Sequence, residues 1–296
     1  MDWEAIAKLN DGIFSRAMTV QRLLRRNATE FAVLPLAQNT LLAKRLESHF
    51  TAEQMQEAAD LLAKNRHNFP SVELSVTDGY ATWAEQYDTE KNPLIFMEEP
   101  VMLSLLGEIV GKDVLDAACG TGRWALRMAG LGARVWGMDA TAAMLAIAQA
   151  KQENCSHKAD FLQGDVTKLP FADASFDLVT CALALSHVAD LKSAISEFAR
   201  VLRPGGRVLI SDFHPFCLQV GWRAVFVQAE KSYFIANQEH LTQDYLNALW
   251  TNGFEVGKFT EEVVDDRLLE LWSQAEVERF RGLPAVLILE ATKKEA

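Results

Sequence analysis

The stretch that most constrains the fold lies at residues 114–122. An apolar run ends there on Asp116, small residues and then Gly120 and Gly122 follow, and a helical pattern begins at Arg123. This order predicts a buried strand, a tight turn and the start of a helix. Glycines let a ligand approach the backbone, and a helix N-terminus offers free N–H groups. The stretch therefore predicts a nucleotide-type binding turn in a doubly wound α/β sheet, and its spacing also fits a dinucleotide fingerprint.

After this turn, short β-branched runs alternate with helical segments. Strands are predicted over residues 134–138, 160–164, 176–181 and 207–212, with helices over residues 141–151 and 191–202. The alternation predicts a parallel sheet with helices on both faces, which binds ligands at the carboxyl ends of its strands. Asp116, Asp139 and Asp165 all follow strands, so they are predicted to border one ligand site. Asp139 has the position of a carboxylate that accepts hydrogen bonds from a ribose diol.

Five motifs in this order resemble the class I S-adenosylmethionine-dependent methyltransferases, and most closely their small-molecule branch. They are Asp116-x-Ala118-x-Gly120-x-Gly122, Asp139, Gly164-Asp165 with Leu169-Pro170-Phe171, Phe176-Asp177-Leu178-Val179 and Arg203-Pro204-Gly205-Gly206. The resemblance covers about residues 79–294. It implies a Rossmann-like, seven-stranded sheet with an antiparallel last strand, and residues 254–264 and 285–291 suit the sixth and seventh strands. Ala118 departs from the pattern, because the family usually has its first glycine there.

The resemblance also implies roles for individual residues. The implied binding set for the cofactor, S-adenosyl-L-methionine, comprises Tyr87, Asp116, Ala118, Gly120, Gly122, Asp139, Ala140, Asp165, Val166 and Ala182. The two glycines would pack against the cofactor, Asp139 would hold its ribose, and Asp165 with Val166 would flank its adenine. Tyr87 would close over the methionine end, and Asp116 would orient the amino-acid part.

Two histidines are the candidates for proton transfer. Methyl transfer needs a base only if the acceptor loses a proton, and histidine suits that task near neutral pH. His187 follows the fourth strand and His214 the fifth, so one of them is predicted to be the general base. The alternatives are that both are structural, or that transfer proceeds by positioning alone. No metal site is expected, since the four cysteines are scattered and form no C-x-x-C pair.

The composition limits the classes of methyl acceptor and the cellular locations that are expected for the protein. A formal net charge of −11 at pH 7 disfavours nucleic acid, which is bound by clustered Lys and Arg. No apolar run approaches the ~20 residues of a membrane span, and the first residues lack the apolar core of a secretory leader, so a cytoplasmic protein is expected. The predicted acceptor is a small aromatic or heterocyclic metabolite that is methylated on oxygen or nitrogen.

The chain is predicted to have two parts. Residues 1–78 are expected to form a helical appendage, either a lid over the acceptor pocket or the face of a homodimer, with the Asp78-Gly79 pair as a turn at its end. Residues 79–296 are expected to form the methyltransferase domain, with a cap insertion around residues 213–253. Two other functions remain open: a non-catalytic cofactor-binding or assembly protein, and an NAD-dependent dehydrogenase.

Overall fold

The structure is a computed structural model that describes residues 71–89, 91–219, 222–229 and 231–295. The strands are β1 (Ser71–Leu74), β2 (Asp113–Ala117), β3 (Arg134–Asp139), β4 (Asp160–Gln163), β5 (Phe176–Ala182), β6 (Leu202–Phe213), β7 (Ala224–Gln228), β8 (Lys231–Ile235), β9 (Phe254–Val263) and β10 (Pro284–Lys293). The α-helices are α1 (Val76–Trp83), α2 (Pro93–Leu106), α3 (Arg123–Gly130), α4 (Ala142–Glu153), α5 (Leu191–Val201), α6 (Pro215–Gln219), α7 (Thr242–Thr251) and α8 (Gln274–Phe280). Short 3₁₀ turns lie at Leu185–His187 and Asp266–Glu270.

Seven strands form one sheet in the order β4-β3-β2-β5-β6-β10-β9. Strands β2 to β6 pair in parallel, and β10 runs antiparallel to β6, with Leu287 opposite Asp212. The predicted seven-stranded α/β fold is therefore confirmed. Its central strands β2, β5 and β6 are apolar along most of their length because both faces are covered: Leu115, Val179 and Ile210 are fully buried.

The order of the strands places the ligand site. β2 has β3 on one side and β5 on the other, so the chain leaves β2 in one direction and returns to its opposite side. A crevice forms at such a switch point, outside the carboxyl ends of the strands. The turn at Gly120 and Gly122 follows β2 directly, and it therefore lies at this crevice.

Two local features differ from the sequence-based expectation. Asp78 and Gly79 were expected to form a turn, yet they lie inside α1, which Ser75 caps by accepting a hydrogen bond from the Asp78 N–H. Gly79 serves close packing, since a Cβ there would lie 2.7 Å from the Ile235 side chain. The second difference is the length of β6, which was predicted over residues 207–212 but begins at Leu202, so that the Arg203-Pro204-Gly205-Gly206 motif is part of the strand. The pairing of β6 with β5 shifts register between Phe176 and Leu178.

The chain divides into two compact units. The larger comprises residues 73–215, 235–262 and 286–296, and it carries most of the seven-stranded sheet. The described part of the smaller unit includes β7, α6 and α8. The expected cap contains β7, β8 and α7, and the two strands form a small sheet with β1 in the order β1-β8-β7.

The predicted helical appendage lies outside the described residues except for its last part, residues 71–78. The limits of the two predicted domains therefore remain a prediction. In the part of the chain that is described, no helix is both long enough and apolar enough to cross a bilayer.

Candidate functional site

The two glycines of the turn after β2 have different surroundings. Both have left-handed backbone angles, with φ of +54° at Gly120 and +77° at Gly122. A Cβ on Gly120 would meet no atom within 4 Å, whereas one on Gly122 would lie 2.9 Å from the Ala148 Cβ and 3.0 Å from the Phe161 ring. Gly120 therefore leaves open space beside the backbone for a ligand. Gly122 is required for close packing of the turn against its neighbours.

Asp139 joins the two loops that follow β2 and β3. Its Oδ2 accepts a hydrogen bond from the Gly120 N–H, and its Oδ1 accepts one from the Thr141 N–H, both at 2.8 Å. Burial raises the pKa of Asp139, while these N–H donors act in the opposite direction. The Thr141 hydroxyl and the Ala140 N–H also lower the pKa of this carboxylate, so the hydroxyl groups of a ligand would share its oxygens with these donors.

Asp116 is a buried carboxyl group at the end of β2. Its Oδ1 accepts a hydrogen bond from the Thr180 hydroxyl at 2.8 Å. Its Oδ2 is shielded from water and has no hydrogen-bond partner among the described residues. Burial raises the pKa of Asp116 to about 7, against the opposing effects of the Thr180 bond, the Arg123 charge and the nearby Ala125 N–H, which does not meet hydrogen-bond geometry at Oδ2. A buried acceptor without a donor is costly, and it is satisfied most simply by a cationic or N–H group of a ligand.

A buried network supports the other side of this position. Glu98 in α2 is fully buried, and it accepts hydrogen bonds from Arg123 Nη2, from Trp124 Nε1 at 3.2 Å and from the Ser211 hydroxyl. Arg123, the first residue of α3, also has a buried Nη1 that makes no hydrogen bond to the described residues. The site thus contains a buried donor as well as a buried acceptor that the described protein groups do not satisfy.

Hydrogen bonds hold the segment before α2, which contains Tyr87 and Asp88, beside the glycine turn. Tyr87 packs edge-on against Trp83, with ring centroids 5.0 Å apart, and burial raises its pKa to about 12. The neighbouring Asp88 accepts hydrogen bonds from the Thr121 hydroxyl and from Lys151 Nζ, both at 2.8 Å. The predicted covering position of Tyr87 is therefore supported by geometry, because Asp88 ties its segment to the turn.

The residues predicted to flank adenine have other contacts as well. Asp165 is exposed, and its Oδ1 accepts hydrogen bonds from the Thr167 N–H and hydroxyl at 2.8 Å, which closes a local turn. Val166 is buried and packs in the main core. Ala140 is exposed, and Ala182 is half-buried at the end of β5. Their roles around the cofactor remain predictions.

His187 has partners at both ring nitrogens. Its Nε2 lies 2.9 Å from the Tyr80 hydroxyl, and its Nδ1 lies 2.8 Å from the Ala236 carbonyl oxygen. Burial lowers the pKa of His187 to about 4, so the ring is neutral at physiological pH. The predicted role as general base therefore cannot use an unoccupied ring nitrogen, and any proton would have to reach His187 through Tyr80.

His214 is buried after β6, and its Nε2 lies 2.9 Å from Glu261 Oε1. No contact brings His214 and His187 together among the described residues. The same strand end carries Asp212, which is fully buried and accepts hydrogen bonds from the Ser186 N–H (2.7 Å), the Tyr245 hydroxyl (2.8 Å) and the Phe213 N–H (2.8 Å). Burial raises the pKa of Asp212 to about 6. In the described part of the chain, no group of three or more His, Cys, Asp and Glu residues could hold a metal ion.

Comparison with known proteins agrees with this geometry. Residues 115–210 match the family described as methyltransferase domain. A demethylmenaquinone methyltransferase from Lactococcus lactis is 40% identical over 115 residues, which are 37% of this chain and 46% of that protein. A 2-phytyl-1,4-naphtoquinone methyltransferase from Synechocystis is 36% identical over 149 residues, 47% of this chain and 63% of that protein. The chain thus spans about half the length of these relatives.

A solved structure shares the fold. The S-adenosylmethionine-dependent methyltransferase from Mesorhizobium loti superposes with a TM-score of 0.54 at 23% identity, over 66% of this chain and 97% of that one. Residues 115–210 thus match a methyltransferase domain, and the chain has the fold of this class I methyltransferase. The resemblance seen in the sequence motifs is thereby confirmed.

The sequence motifs did not indicate three of the residues that shape the methyltransferase site. Arg123 directly follows the glycine turn, and Glu98 is an acid within the apolar helix α2; both signals were present in the sequence. Tyr80 gave no comparable signal, because its partner His187 is 107 residues away along the chain.

Proposed function

We propose that this chain transfers a methyl group from S-adenosyl-L-methionine to an oxygen or nitrogen of a small aromatic or heterocyclic metabolite. The observation that carries the proposal is the pair of buried polar atoms without hydrogen-bond partners in the described chain, Asp116 Oδ2 and Arg123 Nη1, of which the latter lies 3.9 Å from Glu99 Oε2. An amino-acid group has one ammonium and one carboxylate, and it would satisfy both atoms. The open space beside Gly120 lies at the turn between these two residues.

The residues present fit the cofactor. Asp116 would accept hydrogen bonds from its ammonium group, Arg123 would donate to its carboxylate, and Asp139 would accept from its ribose hydroxyls. Tyr87 would cover the methionine end, since Asp88 holds the segment beside the glycine turn. When bound, S-adenosyl-L-methionine supplies a methyl group that its positively charged sulfur makes electrophilic.

The protein would lower the reaction barrier mainly by holding the cofactor and the acceptor in position. Holding two reacting groups in a near-attack arrangement can supply roughly 7–11 kcal/mol of the barrier. The rigid ends of β2, β5 and β6 carry the polar groups that would fix the acceptor. Whether His187 or His214 also takes a proton from the acceptor remains part of the proposal, with His187 acting through Tyr80.

Several observations support a small aromatic acceptor. Tyr80, Trp83 and Tyr87 form an aromatic cluster beside His187, with ring centroids 5.0–6.1 Å apart. Two relatives are named for methylation of quinones, and a naphthoquinone is a flat bicyclic molecule with one aromatic ring. The net charge of −11 supports the exclusion of nucleic acid as an acceptor.

The other parts of the proposal concern location and assembly. We infer a cytoplasmic protein that does not act on membranes, since the four cysteines are free thiols. A homodimer through the N-terminal helices is proposed as well, and sedimentation of the full chain tests it. The competing function is a cofactor-binding or assembly protein without methyl transfer, for which the same cofactor site would suffice.

Two measurements test the proposal. Calorimetry should show that the full chain binds S-adenosyl-L-methionine in preference to NAD, and that Asp116→Asn weakens this binding by roughly 1.5–3 kcal/mol, the range for a hydrogen bond to a charged group. A panel of phenols, hydroxyquinolines and aromatic amines with labelled cofactor then identifies the acceptor. Binding without transfer to any panel member would favour the non-catalytic alternative.

A further inference from the structure

A chain of three polar groups crosses the acceptor side of the site. The Tyr80 hydroxyl lies 2.9 Å from His187 Nε2, and His187 Nδ1 lies 2.8 Å from the carbonyl oxygen of Ala236. A carbonyl oxygen can only accept, so this shorter contact makes Nδ1 the donor. Asn237 Nδ2 also lies 3.3 Å from Nδ1, and its Oδ1 is buried without a hydrogen-bond partner in the described chain; exchanging the amide O and N, which look alike in most structures, would give Nδ1 a second acceptor. Neutral imidazole has one N–H, which leaves Nε2 as an acceptor. The Tyr80 hydroxyl must therefore donate its proton to Nε2.

The direction of the hydrogen bond from Tyr80 to His187 determines whether the Tyr80 hydroxyl can donate to a ligand or only accept from it. A phenol has one proton, and His187 uses it, so the Tyr80 oxygen presents only lone pairs to any further partner. Among the described residues, no other hydrogen-bond donor reaches this oxygen. Burial strongly raises the pKa of the Tyr80 hydroxyl, with further increases from the charges of Tyr87, Asp139 and Asp212. The hydroxyl is therefore protonated, and the direction of the chain persists at physiological pH.

The surrounding structure holds His187 in this role. His187 ends the 3₁₀ turn Leu185–His187, whose Ser186 N–H donates to the buried Asp212 at 2.7 Å. The Ser186 carbonyl accepts a hydrogen bond from the Gln238 N–H, also at 2.7 Å. Both backbone groups of Ser186 are thus occupied, and the imidazole is positioned from two sides. Such positioning by supporting hydrogen bonds is typical of functional side chains.

The position of Tyr80 lies between the two halves of the site. Its electrostatic neighbours include Asp139 at the end of β3 and Asp212 at the end of β6. Its ring contacts Tyr87, which covers the predicted methionine end, at 6.0 Å. The half-buried Tyr80 oxygen is therefore close to where a methyl acceptor would meet the cofactor.

We propose that the Tyr80 oxygen accepts a hydrogen bond from a hydroxyl or N–H group of the methyl acceptor, and that His187 is the positioning residue that keeps Tyr80 in this orientation. The proposal rests on the proposed methyl transfer. It selects acceptors that carry such a donor, such as phenols and hydroquinones, over ethers and quinones whose oxygens can only accept. A missing hydrogen bond in a buried site discriminates strongly between such ligands.

The test uses the full chain, saturated with S-adenosyl-L-homocysteine, and two probes, 1-naphthol and 1-methoxynaphthalene. Calorimetry should show 1-naphthol binding about tenfold more tightly to the wild-type protein, and Tyr80→Phe should abolish this preference without changing cofactor affinity. His187→Asn keeps a donor for Ala236 but removes the acceptor for Tyr80, so it should reduce the preference. The longer side chain of His187→Gln places its oxygen further out, where it can accept from Tyr80. This variant should therefore restore part of the preference for 1-naphthol.

A spectroscopic measurement separates this role from a purely structural one. In ¹⁵N-histidine-labelled protein, the Nε2 resonance of His187, assigned by its loss in His187→Asn, should show an acceptor nitrogen and should shift in Tyr80→Phe. Equal affinity of the wild-type protein for the two probes overturns the proposal, as does a proton found on Nε2. Failure of the wild-type protein to bind S-adenosyl-L-methionine would instead reject the proposed function.

Discussion

The two sides of the site differ in whether their buried polar groups have hydrogen-bond partners within the described chain. On the cofactor side, Asp116 Oδ2 and Arg123 Nη1 are buried without hydrogen-bond partners in the described chain. On the acceptor side, Asp212 accepts three hydrogen bonds, and both ring nitrogens of His187 are occupied. Asp116 and Asp212 are both buried, so burial alone does not explain the difference.

The difference indicates which groups bind a ligand and which hold the site in shape. An unsatisfied buried group raises the free energy of the unliganded protein, and a ligand that satisfies it gains affinity. A satisfied group contributes to folding stability instead. We therefore expect substitutions on the acceptor side to change stability first, and substitutions on the cofactor side to change affinity first.

The largest effect is expected for Asp212→Ala. This change leaves the Ser186 N–H, the Phe213 N–H and the Tyr245 hydroxyl without their acceptor in the core, and it should lower the free energy of unfolding by about 3–5 kcal/mol. Urea denaturation measures the change. Asp173→Ala, which removes an exposed carboxylate paired with Arg200, is the control and should cost about 1 kcal/mol or less. Equal losses in the two variants would contradict the comparison.

Asp139→Ala should act mainly on cofactor affinity. We expect S-adenosyl-L-methionine binding to weaken by roughly 1.5–3 kcal/mol, because the ribose hydroxyls lose a charged acceptor, and calorimetry measures it. The Gly120 and Thr141 N–H groups lose the same acceptor, so a smaller loss of stability should accompany it. The control is again Asp173→Ala, which removes an exposed carboxylate paired with Arg200 and should leave cofactor affinity unchanged. Unchanged affinity in a folded Asp139→Ala protein would show that the ribose lies elsewhere.

The pH dependence of binding tests the buried acid Asp116. Its pKa of about 7 means that the carboxylate form, which attracts an ammonium group, is lost as the pH falls through 7. Affinity for S-adenosyl-L-methionine should therefore decrease by up to about tenfold for each pH unit below 7, which is ~1.4 kcal/mol. Titration calorimetry between pH 6 and 8 measures this decrease. In Asp116→Asn the same decrease should be absent; if it persists, another group is responsible.

The smallest effect concerns Ala118, which occupies the first glycine position of the motif. Its φ of +57° is unfavourable for any residue with a Cβ, by roughly 1–2 kcal/mol. Ala118→Gly should therefore raise the free energy of unfolding by about 1 kcal/mol, measured by urea denaturation. The adjacent Ala117 lies in β2 and is fully buried, so Ala117→Gly should lower stability instead. Destabilisation by both changes would show that Ala118 is not strained.

The predictable part of the site is the part that is local in sequence. The glycine turn, Asp116 and Asp139 follow β2 and β3 directly, so the periodicity of the strands was enough to place them. Helix α2 ends at Leu106, where Gly107 adopts a φ of +66°, and a glycine at this position is a signal that the sequence contains. The turn predicted at Gly79 was wrong because glycine occurs both in turns and at close contacts. The contact of Gly79 with Ile235 could not be predicted without the fold. The contact between Tyr80 and His187 could not be predicted for the same reason, because the two residues come together only in the folded chain.

The hydrogen bonds of Asp139 have a kinetic consequence. Because the chain itself fixes Gly120 and Thr141 through one carboxylate, the two loops hold their shape before a ligand arrives. An incoming molecule need not wait for a rare open or ordered form, and its apparent affinity is not reduced by the population of a competent conformer. The rate of association is then set by diffusion and orientation, and differences in affinity among related ligands should appear in their residence times.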